Sequence, residues 1–197
     1  MTNNFELIKS LLNFDSSDDF YHLQIIKRKK ENPEIGSNSY VIKTYYIQSV
    51  SHLEKVMPEV VNLCDFNNAR ACINLNRRSF EKIGFHTLKK VTDQIMNRDF
   101  PSIRKAYESV CGSFPNESKR RWIIDIDVND LEVVDKIARV INNIEPAENR
   151  QVSIIPTKNG YHLITVPFNV AEFNKYLSLQ GDVPDIHKDN PTILYVP

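Results

Sequence analysis

Hydrophobic and polar positions along this chain follow two periods. In the first half, Phe5, Leu7, Ile8, Leu11 and Leu12 recur at helical spacing within Asn4–Asn13, and the polar run DSSDD behind them ends that helix. Two strand-like stretches come next, Tyr21–Lys29 and Ser39–Ser49, joined by ENPEIGSN, whose Pro, Gly and Asn mark a hairpin loop. A helix is expected from about Ser51, with Glu54 three residues on completing a capping box. Arg70–Leu75 is β-rich, with Asn74 and Asn76 giving it a polar face. Ser79–Asn97 is helical, and PSIRKAYESV adds a further turn or two.

Beyond CGSFPNESKR, where turn residues cluster, the pattern becomes more regular. Arg121–Val128 predicts a strand, and Leu131–Ile144 an amphipathic helix with Leu131, Val134, Ile137, Ala138 and Ile141 on one stripe. Gln151–Pro156 and Tyr161–Val166 are strands joined by Thr157-Lys158-Asn159-Gly160, and Asn-Gly is a strong hairpin signal. Val170–Leu179 is a short helix and Thr192–Val196 a last strand. The order β-α-β-β-α-β is that of a split β-α-β, or ferredoxin-like, sheet. The expected fold class is α+β: an N-terminal α/β half over residues 1–110 and a βαββαβ half over 121–197, together one compact unit.

Alternation across the strand then singles out two charged residues. Trp122, Ile124, Ile126 and Val128 take one face, while Arg121, Ile123, Asp125 and Asp127 take the other. The apolar face must pack under the two helices, so the aspartates belong on the open side of the sheet. The first and third strands are central and adjacent in this topology, and the fourth flanks the first. His162 can therefore share the aspartates' face, with Tyr161 turned beneath the sheet. The segment Pro184–Asp189 arrives near Asp127 and brings a third carboxylate, Asp185 or Asp189. Two carboxylates so spaced sit roughly 6–7 Å apart, and at an effective dielectric of about 20 they repel by about 2–3 kcal/mol. Divalent cations remove that cost, and an all-oxygen cluster suits Mg²⁺ or Mn²⁺ better than zinc. Metals held between carboxylates and phosphate oxygens are the apparatus of phosphoryl transfer.

Composition narrows the partners. The chain has 197 residues, 41% of them hydrophobic, with Lys plus Arg equal to Asp plus Glu at 25 each. No global field announces nucleic acid or a membrane, so such a partner must be met by local patches. Cys64, Cys72 and Cys111 are too few and too far apart for a disulfide framework or a cysteine zinc site, and read as reduced core residues. The N-terminus lacks a basic n-region and no apolar run approaches a membrane span, which makes a cytoplasmic protein the simplest expectation.

The ordered motifs WIIDIDV, IPTKNGYHLITVPF and DIHKDNPTILYVP resemble those of the archaeo-eukaryotic primase superfamily, the primase-polymerases, in a small form of the kind phages and plasmids carry. The resemblance covers mainly Arg121–Pro197. It implies an RRM-like catalytic sheet with Asp125 and Asp127 as the Asp-x-Asp motif, His162 as the motif histidine and Gly160 as the small residue before it, where serine is usual. Thr157 would then supply the hydroxyl contact to phosphate. The implied activity is template-dependent nucleotidyl transfer from nucleoside triphosphates onto a DNA or RNA primer, alongside other replication proteins. Asp125, Asp127 and Asp185 would hold two Mg²⁺ or Mn²⁺ ions, with Asp189 as the alternative third acid. His162, Lys158, Gly160 and, with them, Lys188 and His187 would contact the triphosphate.

Three basic runs are candidates for nucleic-acid phosphates: Lys27-Arg28-Lys29-Lys30, Arg77-Arg78 and Lys119-Arg120-Arg121. The rival readings are a metal-dependent nuclease using the same carboxylates, and a catalytically inactive nucleic-acid-binding module. An ordinary RNA-binding sheet presents aromatic rings to bases, whereas this face presents carboxylates.

Overall fold

The computed structural model describes residues 1–36, 38–115, 120–178 and 183–197. The first half runs β1 (Thr2–Asn3), α1 (Phe5–Leu11), β2 (Asp19–Lys27), β3 (Tyr40–Ile47), α2 (Val50–Asn67), β4 (Arg70–Asn74), β5 (Arg78–Ser79), α3 (Phe80–Met96), α4 (Phe100–Ile103) and α5 (Ala106–Cys111). The second runs β6 (Trp122–Ile126), α6 (Leu131–Asn143), β7 (Gln151–Pro156), β8 (Tyr161–Thr165), α7 (Val170–Ser178), β9 (Asp185–His187) and β10 (Pro191–Val196). The expected last residue of α7, Leu179, lies outside the described residues, as do residues 116–119 of the candidate boundary loop, Lys119 among them. Among the described residues no helix is long and apolar enough to cross a membrane.

Helix starts follow local hydrogen-bond chemistry. Ser49, rather than Ser51, caps α2, its Oγ accepting from the His52 N–H at 3.0 Å. Ser79 does the same for α3 through the Lys82 N–H, and Asp130 for α6 through the Glu132 N–H. The shift from Ser51 has a simple cause: β3 ends at Ile47, and the hydroxyl with extended backbone nearest that end takes the cap.

Two antiparallel sheets result. The second is ordered β7-β8-β6-β9, the connectivity expected of the β-α-β-β-α-β pattern, but its fourth strand is β9 and not the predicted Thr192–Val196. That last strand, β10, crosses to the first sheet and lies between β1 and β4 in the order β1-β10-β4-β2-β3, with β5 on β2. The short β9 satisfies the free edge of β6, and the apolar β10 completes the other sheet.

The cores follow from strand parity. Ile124, Ile126 and Leu163 face α6 and α7 and pack with Val134, Ile137, Ile141 and Phe173. On the other side Ile123, Ile155 and Ile164 are buried in the same cluster as Ile8, Leu11, Leu23, Ile73 and Leu194 of the first half. The side of the second sheet that bears the aspartates is therefore not open along its length. The first half covers its apolar positions, and the polar ones emerge at the seam between the two sheets.

Candidate active site

Register places the acidic and imidazole groups in one row. Asp125 of β6 is the direct cross-strand partner of His162 on β8 and of Asp185 on β9, and Ile123 is that of His187. Directly paired residues project to the same face with Cβ atoms about 4.5–5.5 Å apart. Asp125, His162, Asp185 and His187 thus share one side of the sheet, as alternation requires. Asp127 sits just beyond the end of β6 and is exposed.

Asp125 lies between the two imidazoles. His162 Nε2 is 3.4 Å from its Oδ1 and His187 Nε2 is 3.9 Å from its Oδ2. The His162 imidazole beside it, and more weakly the charge of His187, hold the Asp125 carboxyl below the usual carboxylate range, against the opposing effect of partial burial. His162 Nδ1 lies 2.8 Å from the hydroxyl of Thr192, a wholly buried residue on β10. The crossover of β10 thereby reaches the site, since a residue of the first sheet orients the ring of the second.

A cleft of about 720 Å³ opens at this seam, within the range of small-ligand sites. One wall carries Asp125, Asp127, His162, His187 and the hairpin residues Thr157, Lys158 and Asn159. The first half adds Arg28, Lys30 and Arg70 to the lining, with Ile26 and Cys72, and β10 adds Ile193. Arg70 makes an ion pair with Glu31, while the basic side chains and the carboxylates stand across the same space.

The hairpin has its own logic. Thr157 N–H donates to the Gly160 carbonyl at 2.8 Å, and the Thr157 hydroxyl accepts from the Gly160 N–H at 3.1 Å. Gly160 is buried, and a Cβ there would run into the Ile126 carbonyl and the Val128 amide. Its smallness lets the hairpin press on the end of β6 that carries Asp127, a role in packing where contact with nucleotide was expected. Lys158, exposed at the tip, does reach the cleft.

Other expected contacts fall elsewhere. Arg78 is completely buried: its Nε donates to the Cys111 carbonyl at 2.7 Å, and its terminal nitrogens bind the Asn76 carbonyl and both oxygens of Asp189 at 2.8 and 3.2 Å. Four of the five N–H donors of Arg78 are used in these bonds and the side chain is wholly buried, so it is not presented to nucleic acid, and Asp189 is drawn into this internal network. Of the two expected third acids it is Asp185 that stands beside Asp125 in the register. Arg77 is engaged with Asp15 at 2.5 Å and Asp19 at 3.0 Å, and the Arg121 guanidinium donates to the Leu11 carbonyl at 2.6 Å. Arg120 is partly exposed near the start of β6. Lys188 sits 5.0 Å over the Trp122 ring, on the side of the sheet away from Asp125, so it does not join the cleft. Arg77, Arg78, Arg121 and Lys188 therefore serve the fold. The basic wall comes instead from Arg28 and Lys30 of the first run, together with Arg70.

Three contributors gave weak signals in sequence. Thr192 is a lone hydroxyl in an apolar strand, His187 alternates with Asp185 on a three-residue strand, and Asn76 comes just after a β-rich run. Asn76 Nδ2 donates to the Arg121 and Lys188 carbonyls at 2.9 and 3.1 Å, and its Oδ1 accepts from the Arg121 N–H at 2.6 Å, joining the first half to β6 and to the end of β9.

No protein-family model, curated protein or solved structure matches the chain. Fold and site together define a mixed α+β protein with two antiparallel sheets and a charged cleft between them.

Proposed function

We propose that the chain is a template-dependent nucleotidyltransferase of the primase-polymerase type, with the cleft between its two sheets as the active site. One observation carries the proposal: Asp125, Asp127, His162 and His187 line a cleft that Arg28, Lys30 and Arg70 of the first half also line, with Asp185 paired beside Asp125 on the neighbouring strand. Carboxylates facing cations across an open space suit a ligand that is polyanionic and brings metal with it, as a nucleoside triphosphate does.

The donor set fits Mg²⁺ or Mn²⁺ in kind. Asp125 is half-exposed, Asp127 and Asp185 are exposed, and neither Asp127 nor Asp185 makes a salt bridge among the described residues. Also among those residues, no three His, Cys, Asp or Glu side chains are already gathered around one point. Mg²⁺ does not require that, because it ordinarily takes one or two carboxylates and completes its shell with water and substrate phosphates. Asp125, Asp127 and Asp185 would hold the ion, which would supply Lewis-acid stabilisation of phosphoryl charge.

The remaining work falls to side chains. Arg28, Lys30 and Lys158 neutralise the triphosphate, and Arg70 does so where Glu31 releases it. His162, oriented by Thr192, directs Nε2 at Asp125 and keeps that carboxylate ionised. Ile26 and Ile193 offer apolar surface in the same cleft.

Incubating the protein with a labelled template-primer, Mn²⁺ and nucleotides tests the proposal. Extension that disappears in an Asp125→Ala, Asp127→Ala variant supports it. Shortening of the strand without extension replaces polymerase with nuclease. No reaction, together with Mn²⁺ binding unchanged in the variant, leaves a binding module.

A further inference from the structure

Glu31 is the one Asp or Glu that the first half brings to the cleft, and it stands among cations. Arg28, Lys30 and Arg70 line the same space, and among the described residues Arg28 and Lys30 make no salt bridge. Arg70 is different. Its Nε donates to Glu31 Oε2 at 3.3 Å and its Nη2 meets Oε1, so both carboxylate oxygens sit on the fork of the guanidinium. That fork takes a carboxylate or a phosphate in the same two-point fashion. The Glu31 carboxylate therefore holds the place on Arg70 that a phosphate entering the cleft would need.

An ion pair can also serve to fasten a loop, but this loop is fastened by other means. Asn32, 2% exposed, donates its N–H to the Arg28 and Lys29 carbonyls at 3.0 and 3.2 Å. Its Nδ2 donates to the Arg28 and Asn68 carbonyls at 3.1 and 3.0 Å, and its Oδ1 accepts from Asn68 Nδ2 at 3.0 Å. Asn68, with φ of 46°, is the left-handed residue that ends α2. The turn that carries Arg28 and Lys30 is thus tied to α2 without the Glu31 side chain. Nor is the pair sealed in the interior: the Arg70 and Glu31 side chains keep 14% and 19% of their surface exposed, on the cleft.

We infer that Glu31 is an internal competitor that sets the affinity of the cleft: its carboxylate occupies the Arg70 fork, and a nucleoside triphosphate binds by displacing it. The inference rests on the reading of the cleft as a nucleotide site. A phosphate chain carries more charge than one carboxylate and also reaches Arg28 and Lys30, so it wins the exchange. A weakly charged anion does not, and Glu31 holds it off. Specificity then comes from a contact that opposes binding as well as from those that favour it.

Calorimetric titration of the full chain with ATP and Mn²⁺, without template, tests the inference. Glu31→Gln should lower Kd by at least about threefold, the scale of a solvent-accessible ion pair. Arg70→Gln should raise it by at least about tenfold, as for loss of hydrogen bonds to a charged group. The double variant should bind like Arg70→Gln alone, because Glu31 competes only through that guanidinium. Glu34→Gln removes an equal charge from the same loop, where Glu34 is 64% exposed beside Lys27, and should leave Kd unchanged. Glu31→Gln binding no tighter than wild type, absence of binding in both included, overturns the inference. So does a gain that Glu34→Gln equals, or one that persists without Arg70. Primer extension is measured separately: its absence beside a tighter Glu31→Gln removes the polymerase reading and leaves Glu31 as the competitor in a polyphosphate site.

Discussion

Asp125 and Asp189 are both partly buried carboxylates beside basic side chains, yet they belong to two differently built regions. Asp189 meets Arg78 through both oxygens, and the rest of that guanidinium is spent on the Cys111 and Asn76 carbonyls. Burial pushes the Asp189 carboxyl up, opposed by the pull of Arg78. Asp125 keeps 31% of its side chain exposed, meets its two imidazoles at 3.4 and 3.9 Å, and is held below the usual range by His162. The first arrangement uses four of the five guanidinium donors and joins parts of the chain far apart in sequence. The second has oxygen lone pairs to spare and looks into a cleft, as a ligand site must. Charge alone does not separate the two; the number of donors already used does.

The largest test of this contrast is the pair Arg78→Ala and Asp125→Ala. Removing one partner of a buried ion pair costs about 3–5 kcal/mol, whereas Asp125→Ala should change stability by less than about 1 kcal/mol while abolishing nucleotidyl transfer. Urea denaturation and primer extension measure the two, and equal stability losses would erase the distinction. Gly160→Ala comes next: forcing a methyl group onto the end of β6 should cost about 1–3 kcal/mol, as overpacking does. Thermal unfolding would show it, and an unchanged melting temperature would mean that the hairpin does not press on β6.

Thr192→Val sharpens the comparison from the side of the first sheet. It leaves His162 Nδ1 without its partner and should cost about 0.5–1.5 kcal/mol, the worth of one hydrogen bond. It should also lower the proposed activity although Thr192 is buried and does not line the cleft. The smallest effect concerns protons. The folded Asp125 carboxyl titrates below its unfolded value, so it contributes stability above that value and loses the contribution as pH falls through the folded one. His162→Gln should raise the Asp125 titration midpoint towards the ordinary carboxylate value of about 3.9. The stability difference between wild type and variant should then vanish at acid pH, below both midpoints. Carboxyl chemical shifts would track this, with Asp125 titrating at lower pH than Asp189 in the wild type.

Much of the second half was legible in the chain. Trp122, Ile124 and Ile126 alternate cleanly with Ile123 and Asp125, and α6 carries an unbroken apolar stripe. The split connectivity therefore arises from local pattern, and with it the row of Asp125 and His162. The basic residues were far less legible. Arg77-Arg78 reads as a candidate phosphate contact, but Arg78 is inside because Cys111 and Asp189, from distant segments, converge on it together with the neighbouring Asn76 carbonyl. Lys188, two residues before Asn190, faces Trp122 because β9 is only three residues long and sets the parity of the residue directly behind it.

Local periodicity determined which stretches are helix and strand, which side chains share a face, and that carboxylates and an imidazole line up on one side of β6 and β8. Only the tertiary structure decided that β10 joins the first sheet, that the isoleucines beside Asp125 are covered, that Thr192 meets His162, and that Arg28 and Arg70 line the aspartate's cleft. The physical reason is that backbone hydrogen bonds are the same in either sheet. An apolar strand such as Pro191–Val196 suits any unfilled edge, and its choice rests on burial against residues more than a hundred positions away.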